Sequence, residues 1–126
     1  DGARPLITPE IIDEAAASAV KFGAAAVGVP ETDTLKKIYD TGFIASTVDR
    51  QRVYRIQTPQ IFELVPYVAA LSLANQQSAT YTDDCQLYEA LGKSIKLVEG
   101  STENIKITSE QDVAIAEAIL ERRRAL

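Results

Sequence analysis

The chain has 126 residues, a formal net charge of −5, 46% hydrophobic residues and 25% charged ones. That size supports one domain around one core, the acidic balance argues against binding nucleic acid through a basic surface, and no apolar run approaches the ~18 residues of a membrane span. Histidine is absent and Cys85 is the single cysteine, which excludes an internal disulfide, a zinc site of the usual spacing and any nucleophile–histidine pair.

In chain order, Thr8 is placed to cap a helix, with Pro9 at its first position and Glu10 in its first turn. Ile11, Ile12, Ala15, Ala16, Ala19, Val20 and Phe22 follow at near-helical spacing, and Gly23 is a natural stop. The continuous apolar run AAAVGVP predicts a strand buried on both faces. TDTLKKIY, FIASTV and VYRIQT read as half-exposed ribbons, with turn chemistry at Asp40-Thr41-Gly42 and a polar break at residues 49–52. Residues 32–58 together read as an excursion from the main sheet.

A second helix is expected over residues 64–77, with Pro66 in its first turn. Thr82 is expected to cap a third helix, with Asp83 and Asp84 at its positive end and Gly92 ending it. SIKLVEG and NIKI read as short strands. Thr108 and Gln111 have capping-box spacing before a last helix over residues 109–123. Arg122, Arg123 and Arg124 fall where cations favour a helix C-terminus. The alternation of helices with buried strands predicts an α/β sheet.

Polar clusters fall at the ends of the predicted strands: Asp1 with Arg4, Asp33-Thr34, Asp49-Arg50, and Asn104 with Lys106. Thr82-Asp83-Asp84 marks a helix start. Ligands of open α/β sheets gather at the carboxyl ends of strands. Arg4, Arg50 and Lys106, with hydroxyls from Thr34 and Thr82, suit phosphate oxygens. Asp1 suits Mg²⁺ or a sugar hydroxyl. Each cluster also has a plain structural reading as a turn, a helix-start charge or a loop charge. There is no P-loop pattern and no GxGxxG, and Cys85 has no evident base partner for thiol catalysis.

Taken in order, DGARPLIT, VPETDTLK, TVDR, QTPQIF, YTDDCQLYEALG and VEGSTENIKIT resemble the 2-C-methyl-D-erythritol 4-phosphate cytidylyltransferases. The resemblance covers nearly the whole chain. It departs only at Gly2 and Cys85, where the family more often has alanine, and neither change removes a functional group. The resemblance implies a Rossmann-like nucleotidyltransferase sheet with a projecting β-arm, at about residues 32–58, that builds a homodimer. It implies transfer of CMP from CTP to 2-C-methyl-D-erythritol 4-phosphate with release of pyrophosphate and use of Mg²⁺, in non-mevalonate isoprenoid precursor biosynthesis. By match, Asp1, Arg4, Thr34, Thr58 and Thr82 bind substrate, and the carboxylate of Asp1 is also the metal candidate. Arg50 reaches across the dimer to the substrate phosphate, and Lys106 stabilises the transition state beside the nucleotide.

The glycine-rich, basic CTP-binding half of the family has no counterpart in the sequence. Residues 1–126 are therefore expected to be the C-terminal portion of one cytidylyltransferase domain, inactive alone and exposing apolar surface without its other half. The resemblance places the enzyme in a bacterial cytoplasm or a plastid, with neither nucleic acid nor membrane as partner. Ribitol-5-phosphate cytidylyltransferases share RP, DT, QTPQ and NIK but tend to lack a TVDR-like stretch, so STVDRQRVY favours methylerythritol phosphate. Sugar nucleotidyltransferases in general are a weaker alternative, resting on fold analogy. A non-catalytic dimerisation module of the same fold is the rival from another class. Retention of Asp1, Arg4, Arg50 and Lys106 together argues against it.

Overall fold

The computed structural model describes residues 1–126. The Thr8 hydroxyl accepts a hydrogen bond from the Ile11 amide at 3.4 Å, and Pro9 opens helix α1 (Pro9–Phe22). Gly23 closes it at φ 92°, a left-handed conformation that glycine adopts without a Cβ clash. Strand β1 (Ala24–Pro30) follows, and its first six residues are buried, as the apolar run predicts.

The remaining elements are β2 (Lys36–Ile38), β3 (Ile44–Thr47), β4 (Tyr54–Phe62), α2 (Leu64–Gln76), α3 (Asp84–Ala90), β5 (Lys96–Glu99) and α4 (Glu110–Ala125). The main sheet has the order β4-β1-β5. β5 runs parallel to β1, with Val27 opposite Val98, and β4 runs antiparallel, with Ala24 opposite Phe62. Alternate β1 residues face opposite layers. Ala25 and Val27 pack with Ala15 and Ala19 of α1 and with Val98. Ala24 packs with Ala70 and Ala74 of α2 and with Leu87 and Tyr88 of α3. The Phe62 ring joins that second layer, 4.7 Å from Tyr88 and 5.3 Å from Tyr67 between centroids. Aromatic pairs of this kind contribute roughly 0.5–1.5 kcal/mol beyond the area they bury. No helix is long and apolar enough to cross a membrane.

The structure corrects several expectations. Residues 54–58 do not belong to the excursion; they begin β4 and pair with β1. Their alternation suits a ribbon or a sheet edge equally, and only the partner strand decides. What projects is the short antiparallel ribbon β2–β3, which is exposed throughout. Pro59 sits within β4 because β4 is an edge strand and its register with β1 is irregular at that point, so no ladder bond needs a proline N–H. The Thr58–Pro59 peptide is cis. NIKI is not a strand: its link to the start of the chain is one backbone bond, Ile107 N to Ala3 O at 2.7 Å, rather than a ladder.

Two caps are displaced by one residue. Asp83, not Thr82, caps α3, its carboxylate accepting from the Gln86 amide at 3.1 Å, while Thr82 donates from both N–H and hydroxyl to the Gln86 side-chain oxygen. Ser109, not Thr108, caps α4, in a capping box closed by Asp112 rather than Gln111. The Asp112 carboxylate accepts from the N–H and hydroxyl of both Thr108 and Ser109, and an ionised acceptor holds donors more strongly than an amide does. These bonds lower the Asp112 pKa below its ordinary value of 3.8. The ionised form is therefore the stabilising one, and its contribution disappears as pH falls through the folded-state value. Asp112→Asn is expected to lower Tm near neutrality, with the deficit narrowing as pH drops below 3.8. A deficit independent of pH in thermal unfolding would contradict the capping role.

Candidate phosphate-binding site

Four segments meet along the carboxyl half of β1: the first four residues, β4 near Thr58, the turn after β5, and residues 104–107. Asp1 is fixed at both oxygens, with Ala3 N donating to Oδ1 at 2.9 Å and Thr58 Oγ1 donating to Oδ2 at 2.8 Å. Arg4 is half-buried, and its Nη1 donates to the Asn104 carbonyl at 2.7 Å. Burial lowers the Arg4 pKa, though a guanidinium stays charged at any physiological pH. Arg4 Nε and Asn104 Oδ1 are buried with no hydrogen-bond partner in the protein, a form of unpaired polarity that calls for a functional explanation.

Three cavities adjoin here. A pocket of about 140 Å³ is lined by Asp1, Arg4, Ile7, Ile12, Thr58 and Pro59. A groove of about 280 Å³ holds Arg4, Arg55, Gln57, Thr102, Asn104 and Lys106. A cavity of about 560 Å³ includes Thr58, Gln60, Thr82, Asp83 and Asp84. Arg4 is common to the first two and Thr58 to the first and third. The largest is the least suited to an anion, since its charged lining is Asp83 and Asp84 with no cation. The groove gathers three cations, and Lys106 is exposed in it between the half-buried Ile105 and Ile107. That orientation matches the alternation in the sequence, although the segment is not a strand.

The structure thus places Asp1, Arg4, Thr58, Thr82 and Lys106 around connected cavities. Thr34 and Arg50 lie apart, on the loops at the base of the ribbon. Arg50 is exposed and donates to the Thr32 carbonyl at 2.6 Å, and no hydrogen bond ties either residue to the Asp1–Arg4 centre. Sequence reasoning missed Gln57 and Arg55, which lie on a strand first read as ribbon. It also missed the use of the arginine run: Arg123 donates to Glu103 Oε1 and to the Leu6 carbonyl, each at 3.0 Å, and Arg122 pairs with the other Glu103 oxygen. The end of α4 therefore ties the turn after β5 to the segment that follows Arg4.

Cys85 is buried, and its Sγ lies 3.4 Å from Gln60 Oε1. Burial first, then the negative charges of Asp83, Glu89 and Asp84, push its thiol up to about 11. The thiolate is the reactive form, so native Cys85 is expected to alkylate with iodoacetamide at mildly alkaline pH far more slowly than in denatured protein. Equal rates in the two states would contradict this environment.

The model of the 2-C-methyl-D-erythritol 4-phosphate cytidylyltransferase family, IspD, matches residues 1–122. The protein of that name from Desulforamulus reducens is 44% identical over 123 residues, which are 98% of this chain and 53% of the relative. Its counterpart in Caldanaerobacter subterraneus is 48% identical over 122 residues, 97% of this chain and 54% of the relative. The solved 4-diphosphocytidyl-2C-methyl-D-erythritol synthase of Anaerococcus prevotii superposes with a TM-score of 0.88 at 33% identity, over 96% of this chain and 56% of its own. The Thermus thermophilus cytidylyltransferase gives 0.82 at 33% identity, over 93% and 57%. The chain spans about half the length of the curated relatives it matches.

Proposed function

Because this chain belongs to the 2-C-methyl-D-erythritol 4-phosphate cytidylyltransferase family, we propose that it supplies the polyol-phosphate-binding and dimerisation part of an enzyme that transfers CMP from CTP to 2-C-methyl-D-erythritol 4-phosphate. A phosphate oxygen of the polyol phosphate attacks the α-phosphorus of CTP, the bond from that phosphorus to the bridging oxygen breaks, and pyrophosphate leaves. The attacking group is already anionic, so the chemistry asks for little proton transfer, and a histidine-free chain is no obstacle. Its difficulty is bringing anions together around a crowded phosphorus, which preorganised positive charge relieves.

The observation that carries this reading is the convergence of Arg4, Thr58 and Asp1 beside the groove that presents Lys106. Asp1 and Thr58 hold the polyol hydroxyls, with Arg4 as the adjoining cation, and Lys106 meets the charge developing on the α-phosphate. Thr82 closes the neighbouring cavity. Arg50 and Thr34 act from the arm, reaching the substrate phosphate of a second copy. The apolar residues exposed on the arm, Ile38 at 66%, Phe43 at 73% and Ile44 at 64%, favour that dimer.

No cluster of three potential metal ligands is present. Asp1 suits Mg²⁺ as a single ligand, because both its oxygens accept one hydrogen bond and keep lone pairs free, and Mg²⁺ bound to nucleotide draws most of its ligands from phosphate and water. When bound, the ion would neutralise triphosphate charge. The chain covers 53% and 54% of the Desulforamulus and Caldanaerobacter relatives, and the grip on CTP is assigned in this proposal to a part of the enzyme outside residues 1–126, so the isolated chain is expected to be inactive. In that full-length protein, Lys106→Ala should lower kcat on the order of 10²–10³-fold with a much smaller change in KM. A near-normal kcat in steady-state assays of CTP-dependent pyrophosphate release would remove Lys106 from this role.

A further inference from the structure

Asn104 is a fully buried polar side chain, at 0% exposure. Its amide nitrogen donates to Gln57 Oε1 at 3.1 Å and to the Thr58 carbonyl at 3.0 Å, which uses both of its protons. The backbone carbonyl of Asn104 receives Arg4 Nη1, so the buried side chain fixes the peptide on which the guanidinium rests. Gln57 is 7% exposed and completes the span by donating from Nε2 to the Ser101 carbonyl at 2.9 Å. The pair therefore links β4 at Thr58, the turn after β5, the Arg4 guanidinium and the segment that carries Lys106 two residues later. Gly100 makes room for it: a Cβ there would lie 2.5 Å from Gln57 Oε1 and 2.7 Å from Val27 Cγ1. Neither contact is tolerable for a real side chain, so any larger residue would push Gln57 out of the link.

We infer that Gln57 and Asn104 are positioning residues for the proposed transfer, a buried strut that holds Arg4, Thr58 and Lys106 at fixed separation. Neither side chain needs to touch substrate. Arg4 and Lys106 are long, flexible cations on segments with little regular structure, and the entropy of holding them is paid by the buried amides beneath. A displacement of about 1 Å at such a site costs on the order of 10²-fold in rate, and the strut is the element whose loss permits it. The inference rests on the reading of Arg4, Thr58 and Lys106 as phosphate-handling groups.

The test uses the full-length protein with Gln57→Leu, which keeps side-chain bulk, and with Asn104→Ala. Turnover is measured well below each variant's Tm, alongside proton exchange of the Arg4 guanidinium by ¹⁵N NMR. The strut predicts a kcat loss of roughly 10–10²-fold with KM for CTP nearly unchanged, and faster Arg4 exchange in both variants. A lowered Tm with wild-type kcat and wild-type Arg4 exchange would reduce the pair to ordinary core packing and overturn the inference. Should the wild-type protein transfer no CMP, the functional reading falls, and Arg4 exchange alone then decides the strut: accelerated exchange upholds it and unchanged exchange overturns it.

Discussion

Burial of β1 on both faces is the constraint on which the rest of the structure depends. Six consecutive residues lie inside, so their peptide groups must find partners within the protein. β4 satisfies one edge and β5 the other. The small side chains of β1 set how closely the layers approach, with alanines of α1 against one face and alanines of α2 against the other. Toward the end of β1 the pairing continues, with the Gly100 amide donating to the Gly28 carbonyl at 2.8 Å and the Glu31 amide donating to the Val53 carbonyl at 2.9 Å. The first contact launches the turn that leads to Asn104 and Lys106. The second closes the base of the arm. Core and site are thus successive consequences of one buried strand.

The site divides its labour by burial. In the proposed site the charged ends of Lys106, Arg50 and Arg4 are exposed or half-exposed, while the polar side chains beneath Arg4, those of Gln57 and Asn104, are buried amides. A neutral amide costs less to bury than a charge, and Asn104 uses both of its protons there, whereas a buried ion pair in the same place would cost more than it returned. The charged tie between α4, Glu103 and the Leu6 carbonyl lies further out, where water tempers it. The arm is built differently: its ribbon is exposed on both faces and carries large apolar residues, a surface that calls for a partner.

What was legible in the sequence was whatever local chemistry fixes. Thr8, Pro9 and Gly23 delimit α1 without reference to anything distant, and the short apolar run of β1 suits an interior strand. Asp1, Arg4, Thr58 and Lys106 were found through the order of short motifs, and their convergence in space bears on that grouping. What was not legible depended on partners far along the chain. The first half of β4 reads as ribbon because its pattern says nothing of which strand it meets. The caps of α3 and α4 slipped by one because neighbouring threonine, serine and aspartate residues compete for the same amides. Gln57 looked like any polar strand residue, and only the return of Asn104, 47 positions later, gives it a task.

The central claim is that the Asp1–Arg4–Thr58 centre is where the polyol phosphate sits, with Lys106 facing the bond that forms. A crystal structure of the full-length protein with 2-C-methyl-D-erythritol 4-phosphate tests it most directly. The account predicts polyol hydroxyls on Asp1 and Thr58, and the phosphate between Lys106 and the Arg50 of a second copy. Ligand lodged instead in the acidic cavity by Asp83 and Asp84, with the Arg4 centre empty, would contradict it.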